Sequence, residues 1–319
     1  MPLVDLPLSQ LETYTGLNPK PADHAEFWGR ALAELDSVDP KVELVRADFQ
    51  TPFAECFHLY FTGVRGARVH AKYLRPRHAQ AKHPGLVEFH GYTGSSGDWT
   101  NKLGWVGLGF SIASMDCRGQ GGLSEDTGGI TGPTHHGHFI RGLYDGPDNL
   151  LFRHIFLDTV ALARIVMALD EVDPTRVGAF GASQGGALTL ACAALEPRIK
   201  RAAPVYPFLS DYQRVWEMDL AADAYSELRE FFRHYDPMHT REREWFTRLG
   251  YIDIQHLAER IRAEVLMGVG LMDRVCPPST QYAAFNKIKS PKRALIYPDF
   301  GHEGLPGFSD AAFKFLSEL

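Results

Sequence analysis

The chain has 319 residues, 45% of them hydrophobic and 23% charged, with a formal charge of −6 and a pI near 6.2. That composition is ordinary for a soluble globular protein and can bury a core without metals or disulfides. Lysine and arginine are scattered, so there is no basic field to hold nucleic acid.

Cys56, Cys117, Cys192 and Cys276 lie far apart, form no CxxC pair and mostly sit in apolar runs. They read as buried free thiols rather than as a disulfide framework or a zinc site. The opening "MPLVDLPLSQLETYTG" has no basic segment ahead of a long apolar stretch, so a secretory signal is not expected. No window approaches the roughly eighteen uninterrupted apolar residues of a membrane span. A cytoplasmic protein is expected.

In chain order, "PADHAEFWGRALAELDSV" spaces Phe27, Trp28, Leu32 and Leu35 so that they can share a helical face. "CFHLYFTG" and "ARVHAKYLRP", separated by "VRG", predict an antiparallel hairpin. Short apolar runs then alternate with helical segments. "GLVEFHG", "FSIASMD", "RVGAFG", "KRAAPVYP", "AEVLMGVG" and "RALIYP" read as strands. "LLFRHIFLDTVALARIVMAL" and "QGGALTLACAALEP" read as helices between them. Continuous apolar strands separated by helices predict a mostly parallel, doubly wound α/β sheet with N-terminal antiparallel strands. Two stretches interrupt the alternation. Residues 120–149 form a long loop rich in Gly, Thr, Pro and His, and residues 208–260 hold aromatic, charged helical pieces that predict an insertion. With no linker that would split it, residues 1–319 are expected to form one domain.

In such a sheet, ligands bind beyond the carboxyl ends of the strands. "FGASQGG" places Ser183 between Gly181 and Gly185 at a strand–turn–helix junction. That is the arrangement of a nucleophile elbow, although taken alone it fits a plain tight turn equally well. A serine hydroxyl needs an adjacent base, and His302 in "YPDFGHEG" follows the last strand. The histidine needs a carboxylate to hold its tautomer. Asp273 follows the preceding strand, whereas Asp299 shares the histidine's short loop and Asp253 lies in the insertion. The order Ser183, Asp273, His302 is the one expected for this fold. Acyl transfer also needs donors for the developing oxyanion. The backbone N–H of Gln184, after the serine, is one candidate, and that of Tyr92 in "FHGYTGSSG" is the other. Tyr206, Pro207 and Phe208 could wall an acyl pocket or belong to the core. His135, His136 and His138 lack a nearby Cys or acidic ligand, so neither a metal nor another cofactor is expected.

"FHGY", "MDCRGQGG", "HFIRGLYD…LLFRHIFLDTVALARIVM", "GASQGG" and "GHE" together resemble the acetyl xylan esterase and cephalosporin C deacetylase family, carbohydrate esterase family seven, over about the whole chain. The resemblance implies an α/β-hydrolase with Ser183 as nucleophile, His302 as base, Asp273 as its partner, and Tyr92 and Gln184 as oxyanion donors. It implies a structural part for the Arg118-Gly119-Gln120 motif, with Arg118 tying down neighbouring loops through several hydrogen bonds. It further implies a cytoplasmic homohexamer that removes acetyl groups from small alcohols, including acetylated xylo-oligosaccharides and cephalosporin C. Peptidase or lactone-hydrolase activity on the same triad, or a non-catalytic binding module, are the alternatives.

Overall fold

The computed structural model describes residues 4–79, 81–126 and 136–319. Nine strands form one mixed sheet: β1 (Glu43–Arg46), β2 (Ala54–Thr62), β3 (Arg68–Pro76), β4 (His83–Phe89), β5 (Ser111–Met115), β6 (Val172–Ala182), β7 (Arg201–Val205), β8 (Glu264–Gly270) and β9 (Lys292–Tyr297). Their spatial order is β1-β2-β3-β5-β4-β6-β7-β8-β9. β1, β2 and β3 pair antiparallel, β3 runs antiparallel to β5, and every pair from β5 to β9 is parallel. β5 is buried at every position and β4 at all but one. Strands covered on both faces need apolar side chains on both, which is why these segments read as unbroken runs.

The helices are α1 (Leu8–Leu11), α2 (His24–Asp36), α3 (Leu103–Gly107), α4 (Leu151–Ala168), α5 (Gln184–Leu195), α6 (Tyr212–Glu217), α7 (Ser226–Tyr235), α8 (Glu242–Leu249), α9 (Ile254–Leu257), α10 (Pro278–Phe285) and α11 (Phe308–Ser317). One core joins α2, α4, α5 and the insertion helices to the sheet, through Trp28, Phe156, Leu188 and Phe246. A second, smaller core packs α3 and α11 on the sheet through Trp105, Phe308 and Phe315. Each fully buried side chain of this size contributes about 1.5–3 kcal/mol. All twelve residues of α5 are buried, and its run of Gly, Ala, Thr and Cys lets the helix approach the sheet closely. That closeness presents the N-terminus of α5 at the carboxyl edge of β6.

The predicted hairpin, strands and long helices stand where expected. β6 is longer than "RVGAFG", reaching back to Val172. β1 was not predicted; its four residues are all exposed, so no burial pattern marks it in the sequence. Residues 208–260 carry α6 to α9, as the composition of that stretch predicted.

Candidate functional site

Ser183 joins β6 to α5 with φ 58° and ψ −119°, a conformation that costs a non-glycine residue about 1–3 kcal/mol. Its N–H donates to Val205 O at 2.9 Å, and its carbonyl accepts from Phe208 N and Ala187 N, both at 3.0 Å. These bonds hold the turn against the strain. The flanking glycines have a steric reason. A Cβ on Gly181 would stand 2.5 Å from Phe89 O, and one on Gly185 would meet the same oxygen closer still.

His302 follows β9, and its Nε2 lies 3.0 Å from Ser183 Oγ. Its Nδ1 lies 2.8 Å from Asp273 Oδ2. A carboxylate only accepts, so Nδ1 carries the proton and Nε2 presents its lone pair to the serine hydroxyl. Asp273, just past β8, is fully buried, while the His302 side chain is 21% exposed. The other Asp273 oxygen accepts from Val275 N and Cys276 N, both at 2.8 Å, so its carboxylate orientation is set by the backbone. Neither Asp253 nor Asp299 takes this place: Asp253 caps α9 and accepts from Asp211 N at 2.9 Å.

Gln184 opens α5, where backbone N–H groups lack intrahelical partners. Its N–H and that of Tyr92 donate to no acceptor among the described residues. The two segments are tied by side chains. Gln120 Nε2 donates to Gln184 Oε1 at 2.7 Å and Gln184 Nε2 donates back to Gln120 Oε1 at 3.0 Å. Gln120 Oε1 also accepts from Thr93 N at 3.0 Å. His90 Nε2 accepts from Cys117 N at 3.0 Å, so its Nδ1 holds the proton and donates to Gly91 O at 2.7 Å. Burial pushes the pKa of His90 down, which keeps this tautomer neutral. Gln120 and His90 thus brace the loop after β4 against the start of α5. The reciprocal amide pair joins glutamines 64 residues apart, and the "RGQ" and "SQG" motifs are its only signal in the sequence.

Arg118 and Asp158 of α4 are both fully buried. Arg118 Nε and Nη2 meet the carboxylate at 2.7 and 2.5 Å, and Nη1 donates to Val64 O at 3.2 Å. Gly119 turns with φ 71°, after which Gln120 points inward. Arg118 is therefore an internal tie rather than a surface side chain. Tyr206 packs its ring 4.5 Å from that of His302, whereas Pro207 and Phe208 are buried. Phe208 packs within an aromatic core, 5.0 Å edge-on from Tyr92 and 4.4 Å from a tilted Tyr225. Of the three proposed pocket walls, Tyr206 alone contacts the triad through its ring.

Among the described residues, the one group of three His, Cys, Asp or Glu side chains with ligand atoms within 4.8 Å of one another is Asp273, Cys276 and His302. Two of its members, Asp273 and His302, are already bonded to each other in the triad, and burial pushes the Cys276 thiol well up, away from the thiolate a metal would need. His136 and His138 belong to no such group among the described residues, and His135 lies outside them.

The sheet order, the strained serine between β6 and α5, and a histidine and aspartate after the last two strands define an α/β-hydrolase. The family model "Acetyl xylan esterase (AXE1)" matches residues 1–319. The crystal structure of acetyl xylan esterase 1 from Thermoanaerobacterium sp. JW/SL YS485 is 60% identical, covers 98% of this chain and 99% of its own, and superposes with a TM-score of 0.95. Acetyl xylan esterase from Paenibacillus sp. R4 is 34% identical, with 98% and 99% covered and a TM-score of 0.90. The acetyl esterase Axe7A of Xylanibacter ruminicola is 32% identical over 163 residues, 51% of this chain and 35% of that protein. This chain spans about a third of the length of that curated relative. The acylaminoacyl peptidase of Pyrococcus horikoshii, at 17% identity and a TM-score of 0.59, shares the fold alone. The chain belongs to the acetyl xylan esterase family and, with it, to the carboxylic ester hydrolases.

Proposed function

We propose that this chain is a serine esterase that removes acetyl groups from small acetylated substrates through an acyl-enzyme intermediate. The observation that carries this reading is the unbroken chain Ser183 Oγ, His302, Asp273, with links of 3.0 and 2.8 Å, ending on a serine held in a strained turn. Ser183 attacks the acetyl carbonyl while His302 Nε2 takes its proton. Asp273 stabilises the imidazolium and keeps its Nδ1–H directed away from the substrate. The N–H groups of Tyr92 and Gln184 receive the oxyanion, each donor being worth a factor of about 100–1,000 in kcat. His302 then protonates the departing alcohol and activates the water that releases acetate.

Acetylated xylo-oligosaccharides and cephalosporin C are the proposed substrates. The names of the acetyl xylan esterases that superpose over nearly the whole chain support the first; the motif resemblance supports the second. A homohexamer in the cytoplasm is proposed on the same resemblance. Four free, buried thiols suit a reducing compartment, and light scattering tests the assembly.

Hydrolysis of 4-nitrophenyl acetate by wild type and Ser183→Ala tests the mechanism. Loss of nearly all activity in the variant is expected, and equal rates would remove Ser183 from the mechanism. A steep fall in kcat/KM from acetyl to butyryl esters is expected of a small acyl pocket; a preference for long chains would contradict it.

A further inference from the structure

Helix α7 of the insertion buries Glu227, Leu228, Phe231 and Phe232 on one side. The carboxylate of Glu227 is only 2% exposed, and an unpartnered charge at such a place is costly. Its partners lie on two segments, the loop after β4 and the long loop. Tyr92 Oη donates to Glu227 Oε1 at 2.5 Å. His138 N donates to the same oxygen at 3.0 Å, and Ile140 N reaches Oε2 at 3.4 Å. Between those two, Phe139 N donates to Tyr92 Oη at 3.1 Å. Three successive N–H groups of the long loop thus close on a single phenol–carboxylate pair. The residues of that pair are 135 positions apart in the sequence.

Tyr92 is consequently fixed at both ends. Its ring packs against Phe208 and Phe152 at 5.0 and 6.4 Å, and its hydroxyl is clasped by Glu227. On the backbone side, the next residue, Thr93, donates to Gln120. We infer that Glu227 is a positioning residue for acyl transfer: from the helical insertion it clamps Tyr92 so that the Tyr92 N–H stays aimed at the oxyanion. The inference rests on the proposed oxyanion role of that N–H. Displacing a donor by a fraction of an ångström forfeits much of its effect on the transition state while leaving substrate binding nearly intact. Glu227 contacts neither Ser183 nor His302 in the hydrogen-bond network, so its influence passes through Tyr92.

The experiment uses the full chain with 4-nitrophenyl acetate and with a methyl trifluoromethyl ketone. The ketone forms a reversible hemiketal with Ser183 whose oxyanion occupies the same place. Glu227→Ala and Tyr92→Phe are each expected to lower kcat about tenfold with KM within about twofold, and to raise the ketone Ki in parallel. The double variant should be no worse than the poorer single one, since both break one clasp. Glu227→Gln, which keeps an acceptor for the phenol, should recover most of kcat. Thermal unfolding identifies any variant that does not fold; if Glu227→Ala is one, Glu227→Gln and Tyr92→Phe still carry the test. Folded variants with unchanged Ki, or additive losses in the double variant, overturn the inference. Incorporating the α-hydroxy analogue of tyrosine at position 92 separates the two readings, because it replaces that N–H by an ester oxygen and keeps the side chain. If the ester leaves Ki unchanged, the oxyanion role of Tyr92 fails. If the ester raises Ki while the Glu227 variants do not, only the clamp fails.

Discussion

Replacing Arg118 by Met would orphan the carboxylate of Asp158. Both side chains are fully buried, and the guanidinium supplies two bonds to that carboxylate and a third to Val64 O. Breaking a buried pair from one side leaves an uncompensated charge and costs about 3–5 kcal/mol, a large share of the roughly 5–15 kcal/mol that keeps a domain folded. An exposed pair such as Arg229–Asp219, with side chains 52% and 94% exposed, is worth only about 0–1 kcal/mol. Burial already pushes the Asp158 carboxyl up despite the guanidinium beside it. Without Arg118 its folded pKa rises further, so the folded variant binds a proton that the unfolded chain releases near neutrality. The cost of the substitution is therefore greatest near pH 7 and shrinks as the pH falls towards 4. Urea unfolding at pH 7 and pH 5 reads both effects, and Arg118→Met/Asp158→Leu should be more stable than Arg118→Met at pH 7. A single variant within 1 kcal/mol of wild type would refute the reasoning (about 3–5 kcal/mol was expected), as would a double variant that loses the sum of both singles.

Asp273→Asn should lower kcat by about 10⁴ with little change in KM, because the amide no longer holds the required histidine tautomer; steady-state kinetics measures it. Gly185→Ala, whose new methyl would overlap Phe89 O, should displace the elbow and lower both Tm and kcat, while Ala187→Gly, two residues further on and also buried, should cost only about 1 kcal/mol in helix propensity and about 1 kcal/mol for the lost methyl. Acid should unfold the chain by two routes of the same sign. Buried His154 has its pKa pushed down to about 3, so stability is complete above about pH 6.5 and falls by up to about 5 kcal/mol as the pH drops towards 3. Asp116, whose burial alone would raise its pKa, is held at about 2 by the bond from His70 and the backbone N–H groups of Ser96 and Leu123, and adds about 2 kcal/mol that disappears between about pH 4 and 2. Chemical denaturation across that range should show the decline, and His154→Asn should flatten its upper part.

Much of the site was legible because it obeys a simple rule of this fold: reactive side chains stand where strands end. Ser183, Asp273 and His302 each follow an apolar run, and those runs are buried strands whose order brings the three together. Gln184 and Tyr92 were named as candidate oxyanion donors because they stand next to those strand ends. What stayed hidden depends on contacts between distant segments. Glu227 reads as an ordinary charged residue of "SELREFF", and nothing local links it to Tyr92. The partner of Arg118 is an aspartate in a helix forty residues further on, one of many acidic residues it could have met. β1 has no burial pattern to betray it, since an exposed edge strand need not alternate. Phe208, adjacent in sequence to a residue that does reach the triad, faces the core instead because the chain turns left-handed at Tyr206 and Leu209.

The central claim is that the acetyl group passes through Ser183. Rapid acid quenching of the enzyme with an acetyl ester, followed by peptide mass analysis, tests it directly. An acetyl increment on the peptide that carries Ser183, formed within the first turnover and absent in Ser183→Ala, is the predicted result. Turnover at the wild-type rate with that peptide unmodified, or undiminished activity in Ser183→Ala, would contradict it.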